Sequence, residues 1–212
     1  DAWIAFHEGQ SFSTKQESNA QDYADALGLP IQIAEQWMKR WTPKECADLA
    51  KSINQRPPTY LRLNSLKGNQ KDIIEDLRKD GVNATVIPSL AGALKMTGRG
   101  NVVGSKAYRQ GKIEIQDISS QRFCQAVSAK RGMVVWDLCA GAGGKSLALA
   151  ANGATVHATD PRSHAIRELK KRASRSGVHI QLTPPRYADI IVIDAPCSGL
   201  GTLARHPDAR WR

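Results

Sequence analysis

The stretch MVVWDLCAGAGGKSLALAANGATVHATD, Met133–Asp160, decides how the rest of the chain is read. It opens on an apolar run, bends through a glycine turn, continues into Leu and Ala residues stopped by Gly153, and returns to an apolar run ending at Asp160. Strand, turn, helix and strand in that order make a parallel β-α-β unit, and strands apolar along their whole length suit a sheet buried on both faces. Working forward, Pro161 near the start and Gly177 after the end frame a second helix. Two more strands read as His179–Thr183 and Ala188–Asp194. The expected fold class is α/β: a doubly wound, Rossmann-like domain over residues 115–212, with helices on both faces of the sheet.

Working backward, Gln116–Ala129 reads as a helix with Ile118, Phe123 and Val127 toward the core. Residues 92–117 are rich in glycine and basic residues and read as short strands and turns. Thr59–Asn64 alternates as a strand, Ile73, Ile74 and Leu77 mark a helix stopped at Gly81, and Ala84–Pro88 is a further strand, so residues 57–114 form a small α+β region built on a β-α-β unit. Before it, Ile33, Trp37 and Trp41 recur at helical spacing and should line one buried stripe. Thr42, Pro43 and Glu45 form a capping box for a helix through Ile53, ended by Pro57 and Pro58. Residues 1–28 are polar with little periodicity, and residues 1–56 are expected to be a helical segment at the end of a larger domain.

The chain has 30 Lys and Arg against 20 Asp and Glu, a net charge of +10, which favours a polyanionic partner such as nucleic acid. Arg62 and Lys67 of the small region, Arg167, Lys170, Lys171 and Arg175 of the second helix, and Arg205 are the candidate contacts; a solvated helix face is the alternative. The four cysteines have no C-x-x-C spacing, so no zinc or other metal site is expected and the thiols read as reduced. There is no charged-then-apolar leader and no apolar run near the ~20 residues of a membrane span. The expectation is a monomer in the cytoplasm. The first residue is Asp1 rather than Met, which reads as a truncated start.

In a doubly wound fold the ligand lies over the carboxyl ends of the strands. Cys139, Ala140, Gly141, Ala142, Gly143, Gly144 and Lys145 lie at the first of these. Their glycines allow a tight bend and close backbone approach, and the helix start beyond offers unpaired N–H groups. The turn is neither a P-loop nor G-x-G-x-x-G, and alone it also fits a plain strand-to-helix connection. Asp160 ends the second strand, where a carboxylate can take ribose hydroxyls; alone it also fits a helix cap. Together the two indicate an adenosine-containing ligand. Asp194-Ala195-Pro196-Cys197 ends a further strand. Cys197, among Pro, Ser and Gly, is a candidate nucleophile or acid/base, with Lys145 and Arg205 as candidate neighbouring charges; a buried structural cysteine is the alternative.

QDISSQ, WDLCAGAGGKS, ATD, IDAPCSGLGTLARHPDARW and the upstream PPTYLRLNSLK together resemble the RsmB/Sun/Nop2 family of S-adenosylmethionine-dependent RNA cytosine-5 methyltransferases, from about Leu29 to Arg212. The resemblance implies that Cys139 to Lys145 hold the methionine part of S-adenosylmethionine and that Asp160 holds its ribose. It also implies that Asp194 lies beside the methyl group and the target base. Cys197 would release the methylated base, while another cysteine, in a Thr-Cys pair on the following strand, attacks cytosine C6. The implied substrate is RNA, most readily ribosomal RNA.

The chain departs from the pattern at three points. Gly141 and Ala142 stand where the family usually has Ala and Pro. The Thr-Cys pair is absent, so the nucleophile is expected beyond Arg212. The acidic residue after the third strand is also missing: Pro184 to Tyr187 leave only four residues for a parallel crossover, and the expectation is that residues are missing near Thr183–Pro185. Two other readings stay open: a catalytically silent RNA-binding protein on a methyltransferase fold, and a DNA cytosine-5 methyltransferase with Cys197 as nucleophile.

Overall fold

The computed structural model describes residues 20–197 and 199–211; residues 1–19, Ser198 of the D-A-P-C-S-G motif and Arg212 lie outside the described residues. The chain divides into two units, one of residues up to Pro57 together with those from Cys197 onward, the other Pro58–Pro196. The boundary expected between residues 114 and 115 therefore falls inside the second unit, and the last stretch of the chain belongs to the first.

The first unit contains helices α1 (Ala20–Leu27), α2 (Ile31–Met38) and α3 (Pro43–Asn54). The capping box at the start of α3 forms as expected: Glu45 N donates to Thr42 Oγ1, and Thr42 N donates to Glu45 Oε2 at 2.8 Å. Ile33 and Trp37 pack on a core of Leu27, Leu29, Cys46 and Ala50. Trp41 does not join that stripe. Thr42, which precedes Pro43, is extended and ends any helical run before it. Trp41 is 40% exposed and meets Trp37 edge to face at 5.9 Å. Arg210, in the 3-10 turn Pro207–Trp211, is buried and donates to the carbonyls of Ile53 and Gly28 at the ends of α3 and α1.

The second unit holds two sheets. The first combines β1 (Tyr60–Leu63), β2 (Ala84–Val86), β3 (Ala93–Met96) and β4 (Ile113–Ile115) in the antiparallel order β2-β3-β1-β4. β1 and β2 are parallel to each other but separated by β3, so the expected β-α-β unit is split around a third strand. Helix α4 (Gln70–Lys79) closes it, capped by Asn69, whose Oδ1 accepts from Asp72 N. Ile73 and Leu77 of α4 enter a core with Leu61, Leu94 and Ile113. A one-turn helix, α5 (Lys106–Arg109), leads into β4.

The second sheet is parallel, β5 (Val134–Asp137), β6 (Thr155–Ala158), β7 (Ile180–Gln181) and β8 (Ile190–Val192), in the order β7-β6-β5-β8. Helices α6 (Ile118–Val127), α7 (Gly144–Ala151) and α8 (Ser163–Ser176) contribute to the two clusters that cover the face of Val135, Val156 and Ala158. In α6 the buried residues are Gln121 and Cys124, whereas Phe123, expected toward the core, is 39% exposed. Alternation assigns Trp136, His157 and Ile191 to the opposite face. Ile191 is 54% and Ile193 64% exposed.

The step from β7 to β8 passes β6 and β5 with no helix. The strands are shorter than the sequence suggests, so residues 182–189 are all available for the link. Nine Cα steps reach about 30 Å, against about 14 Å of sideways travel over three strand spacings. The link of residues 182–189 makes this passage without a helix. The Thr183 carbonyl lies 2.7 Å from His157 Nδ1 as the link leaves the sheet edge.

The two sheets meet through α8 and β4. Buried Asn64 donates through Nδ2 to the carbonyls of Gly111 and Ser176, at 2.9 and 2.8 Å. Gly111, at φ +70, lies so close to the end of α8 that a Cβ there would fall 2.0 Å from the Arg175 carbonyl oxygen.

Candidate active site

The strand ends of the parallel sheet surround a cavity of about 270 Å³ lined by Cys139 to Ala142, Gly144, Lys145, Asp137, Asp194 and Pro196, with Gln116 and Ser120 from the start of α6 and Arg162 from the turn after β6. The glycine turn is shaped by backbone that side chains disfavour: Gly141 has φ +54 and Gly143 φ +82. At Gly143 there is no space either, since a Cβ would lie 2.7 Å from Leu169 Cγ on α8. The turn thus presses against α8 on one side and presents the N-terminus of α7, capped by no side chain, on the other.

Asp137, the last residue of β5, is 1% exposed. Ser146 Oγ donates to its Oδ2 at 2.6 Å, while its Oδ1 is buried with no partner in the protein. Burial raises its pKa above the ordinary carboxylate value, against the lowering effect of Ser146. A buried carboxylate oxygen without a donor calls for one. An ammonium group such as that of the methionine part of S-adenosylmethionine would supply it, and a positive sulfonium suits a cavity that holds Asp137 and Asp194. These features fit the cofactor implied by the motif.

Lys145, the second residue of α7, pairs through Nζ with Asp194 Oδ2 and lies 5.7 Å from the Phe123 ring centroid. Three elements of the chain thus converge on one ammonium. Of the two candidate charges for Cys197, Lys145 is engaged by Asp194. Cys197 follows cavity-lining Pro196 in the chain, is exposed, and begins the terminal segment of the first unit.

Asp160 is more enclosed than the sequence suggests, its side chain 1% exposed. Oδ1 accepts from Arg162 N and Nε, and Oδ2 from Arg162 Nη2 and Gly141 N, all within 2.8–2.9 Å. These donors, the Arg162 side chain foremost, hold its carboxyl well below the usual carboxylate range. All four acceptor positions of the carboxylate are taken, and the group that reaches the cavity is Arg162. A ribose could take an Asp160 oxygen only by displacing Arg162.

The predicted polyanion contacts separate into two sets. Arg167, Lys170 and Lys171 are exposed along α8, with Lys171 paired to Glu168, and Arg205 is exposed. Arg62 and Arg175 are corrections. Arg62 is half-buried, donates from Nε to Gln116 Oε1 at 2.7 Å, and has its pKa lowered by desolvation. Arg175 pairs with buried Glu114 and stacks over Tyr108 at 3.9 Å. Both lie where the two sheets meet. Lys67 is exposed but lies against Gly177, the left-handed residue that ends α8. Among the described residues no group of three or more His, Cys, Asp or Glu is placed to hold a metal.

Residues 29–103 match the family described as Methyltr_RsmF/B-like, ferredoxin-like domain, and residues 124–212 match 16S rRNA methyltransferase RsmB/F. The chain belongs to the RsmB/F methyltransferase family. Relatives in this family include ribosomal RNA small subunit methyltransferase B of Photorhabdus laumondii, 29% identical over 80% of this chain and 42% of that protein. The probable ribosomal RNA small subunit methyltransferase B of Bacillus subtilis is 29% identical over 83% of this chain and 44% of that protein. The chain spans less than half the length of these two relatives. Among solved structures, PH0851 is 27% identical with a TM-score of 0.82, covering 96% of this chain and 49% of that one. NSun6 from Pyrococcus horikoshii with SFG, 17% identical, covers 81% of this chain and 71% of that one with a TM-score of 0.74, a likeness of fold. In RsmB/F terms the antiparallel sheet is the ferredoxin-like domain and the parallel sheet the Rossmann-like methyltransferase domain. Sequence reasoning passed over Asp137, Gln116, Ser120 and Arg162 as lining residues. Asp137 alone carried a local signal, as an acidic residue ending an apolar strand.

Proposed function

We propose that this chain is the cofactor-binding part of an S-adenosylmethionine-dependent methyltransferase that modifies C5 of a cytosine in ribosomal RNA through a covalent cysteine–cytosine intermediate. The observation that carries the reading is the unpartnered Asp137 Oδ1 beside a glycine turn and a helix N-terminus, in the same cavity as the Lys145–Asp194 pair. The relatives' names, ribosomal RNA small subunit methyltransferase B, support ribosomal RNA as the substrate. The same names support action in the cytoplasm, and among the described residues no helix is long and apolar enough to cross a membrane.

When bound, S-adenosylmethionine supplies an electrophilic methyl group. Asp137 and the α7 N-terminus would hold its amino-acid end, and Lys145, paired with Asp194, would orient that carboxylate toward the target base. Cytosine C5 is a poor nucleophile until a thiolate adds at C6. In this reading the attacking thiolate is that of the family's Thr-Cys pair. Cys197 then acts as the base that takes the C5 proton, so that the C5–C6 double bond re-forms and the C6–S bond breaks. The base must be unstacked first.

The test is Cys197→Ala in a protein that carries the Thr-Cys segment. Methyl transfer should proceed while elimination stalls, leaving a protein–RNA adduct stable to denaturing electrophoresis. An inactive variant with no adduct would assign the attack to Cys197 and overturn this division of labour.

A further inference from the structure

Two side-chain relays run from the ferredoxin-like sheet to the glycine turn. Glu114 on β4 is 1% exposed and fully engaged: its Oε2 accepts from Arg172 Nη2 at 2.9 Å and Nε at 3.2 Å, and its Oε1 accepts from Arg175 Nη2 at 2.5 Å. The remaining arm of Arg172, Nη1, donates to the carbonyl of Ala142 at 2.9 Å. Gln116, two residues after Glu114, takes Arg62 Nε on its Oε1 and donates from Nε2 to the carbonyl of Gly144 at 3.0 Å.

Ala142 stands between two glycines at positive φ, with no proline in the turn to fix a torsion. Gly143 N fixes one end of its peptide by donating to the Ala140 carbonyl at 2.9 Å, and the other end is set by what the Ala142 carbonyl meets. Arg172 meets it, and Arg172 is itself held by a buried carboxylate on another sheet. A guanidinium can do this where an ammonium cannot, because its planar fork serves Glu114 with one edge and Ala142 with the other.

We propose that Glu114 and Arg172 are positioning residues for the cofactor site: Glu114 fixes the guanidinium, Arg172 fixes the Ala142 carbonyl, and the amides of Gly144 and Lys145 at the start of α7 are thereby held toward the ligand. The ferredoxin-like domain is then part of the cofactor site without touching the cofactor. The assignment rests on reading the cavity as the S-adenosylmethionine site. Arg175 provides an internal control, since it shares Glu114 but makes no bond to the turn.

The experiment compares wild type, Arg172→Met, Arg172→Lys and Arg175→Met in two measurements, after thermal melting has shown each to be folded. In the ligand-free protein, hydrogen exchange at Gly143, whose amide donates to the Ala140 carbonyl, should accelerate in Arg172→Met and stay near wild type in Arg175→Met. In calorimetry, S-adenosylmethionine should bind Arg172→Met about tenfold more weakly, or about 1.4 kcal/mol. Arg172→Lys should fall between, and Arg175→Met should lose less than about twofold even with a lowered melting temperature. Equal exchange and equal affinity in the Arg172 and Arg175 variants would overturn the relay and leave the cluster a packing device. A wild type that binds no S-adenosylmethionine would instead bring down the cofactor reading, and the exchange result would show whether the turn is still pinned.

Discussion

The Gly141 amide donates to Asp160 Oδ2 over 2.8 Å, tying the turn after β5 to the turn after β6. The same carboxylate holds Arg162 in a two-pronged pair, so loss of Asp160 releases both at once. By freeing the Gly141 amide and Arg162, each of which loses a hydrogen bond to a charged group, Asp160→Ala should weaken S-adenosylmethionine binding by about 1.5–3 kcal/mol. Calorimetry on the folded variant checks this; unchanged affinity would separate Asp160 from the cofactor.

The pH dependence of this tie has a defined sign. Unfolded, Asp160 titrates near about 3.9; folded, the Arg162 and Gly141 donors hold it lower. In the interval between, the unfolded chain binds the extra proton, so stability rises with pH there. The contribution is complete above about pH 4 and is lost as pH falls through the lower folded value. The stability gap between wild type and Asp160→Asn should be constant near neutrality and shrink in acid.

Gly143→Ala should be more damaging than Gly28→Ala. Both positions have positive φ, but a Cβ at Gly28 meets nothing within 4 Å, whereas at Gly143 it lies 2.7 Å from Leu169 Cγ. The backbone term is about 1 kcal/mol at each site; overpacking adds about 1–3 kcal/mol at Gly143 alone. Denaturant unfolding of the two variants measures the difference.

RNA affinity should depend on the exposed cations of α8. Arg167→Ala, Lys170→Ala and Lys171→Ala should each lower the slope of log K against log salt by up to about 1, if each meets a phosphate. Arg62→Ala should leave that slope alone and lower thermal stability instead, by about 1–3 kcal/mol, because it strips Gln116 Oε1 of its half-buried donor. A slope change in Arg62→Ala would return that residue to the binding face.

The order of elements was legible wherever punctuation was local. The Thr42–Glu45 box, the glycine that ends α8 and the glycine turn after β5 all rest on contacts within a few residues. Misreadings arose where tertiary contacts decide. Arg62 and Arg175 look like surface cations in sequence, and the carboxylate and amide they meet, Glu114 and Gln116, lie more than fifty positions away in chain order. Phe123 fits a helical stripe, yet α6 turns Gln121 and Cys124 inward because Gln121 Nε2 bonds the Gln116 carbonyl. Asp137 escaped notice because its unpartnered oxygen is a fact of burial, which spacing does not encode.

The close approach at Gly111 bears on how parts of this protein could be exchanged with those of a relative. A graft that brought any side chain to that position would put its Cβ into the last carbonyls of α8. It would also need a carboxylate at Glu114 to receive Arg172 and Arg175. An exchange at Pro58 should yield a folded chimera where the segment from Cys197 onward travels with residues up to Pro57, since Arg210 bonds Ile53 and Gly28, whereas crossovers between Gly111 and Arg175 should fail unless both partners of each contact travel together. The two sheets, though distinct in architecture, are then a single unit of inheritance.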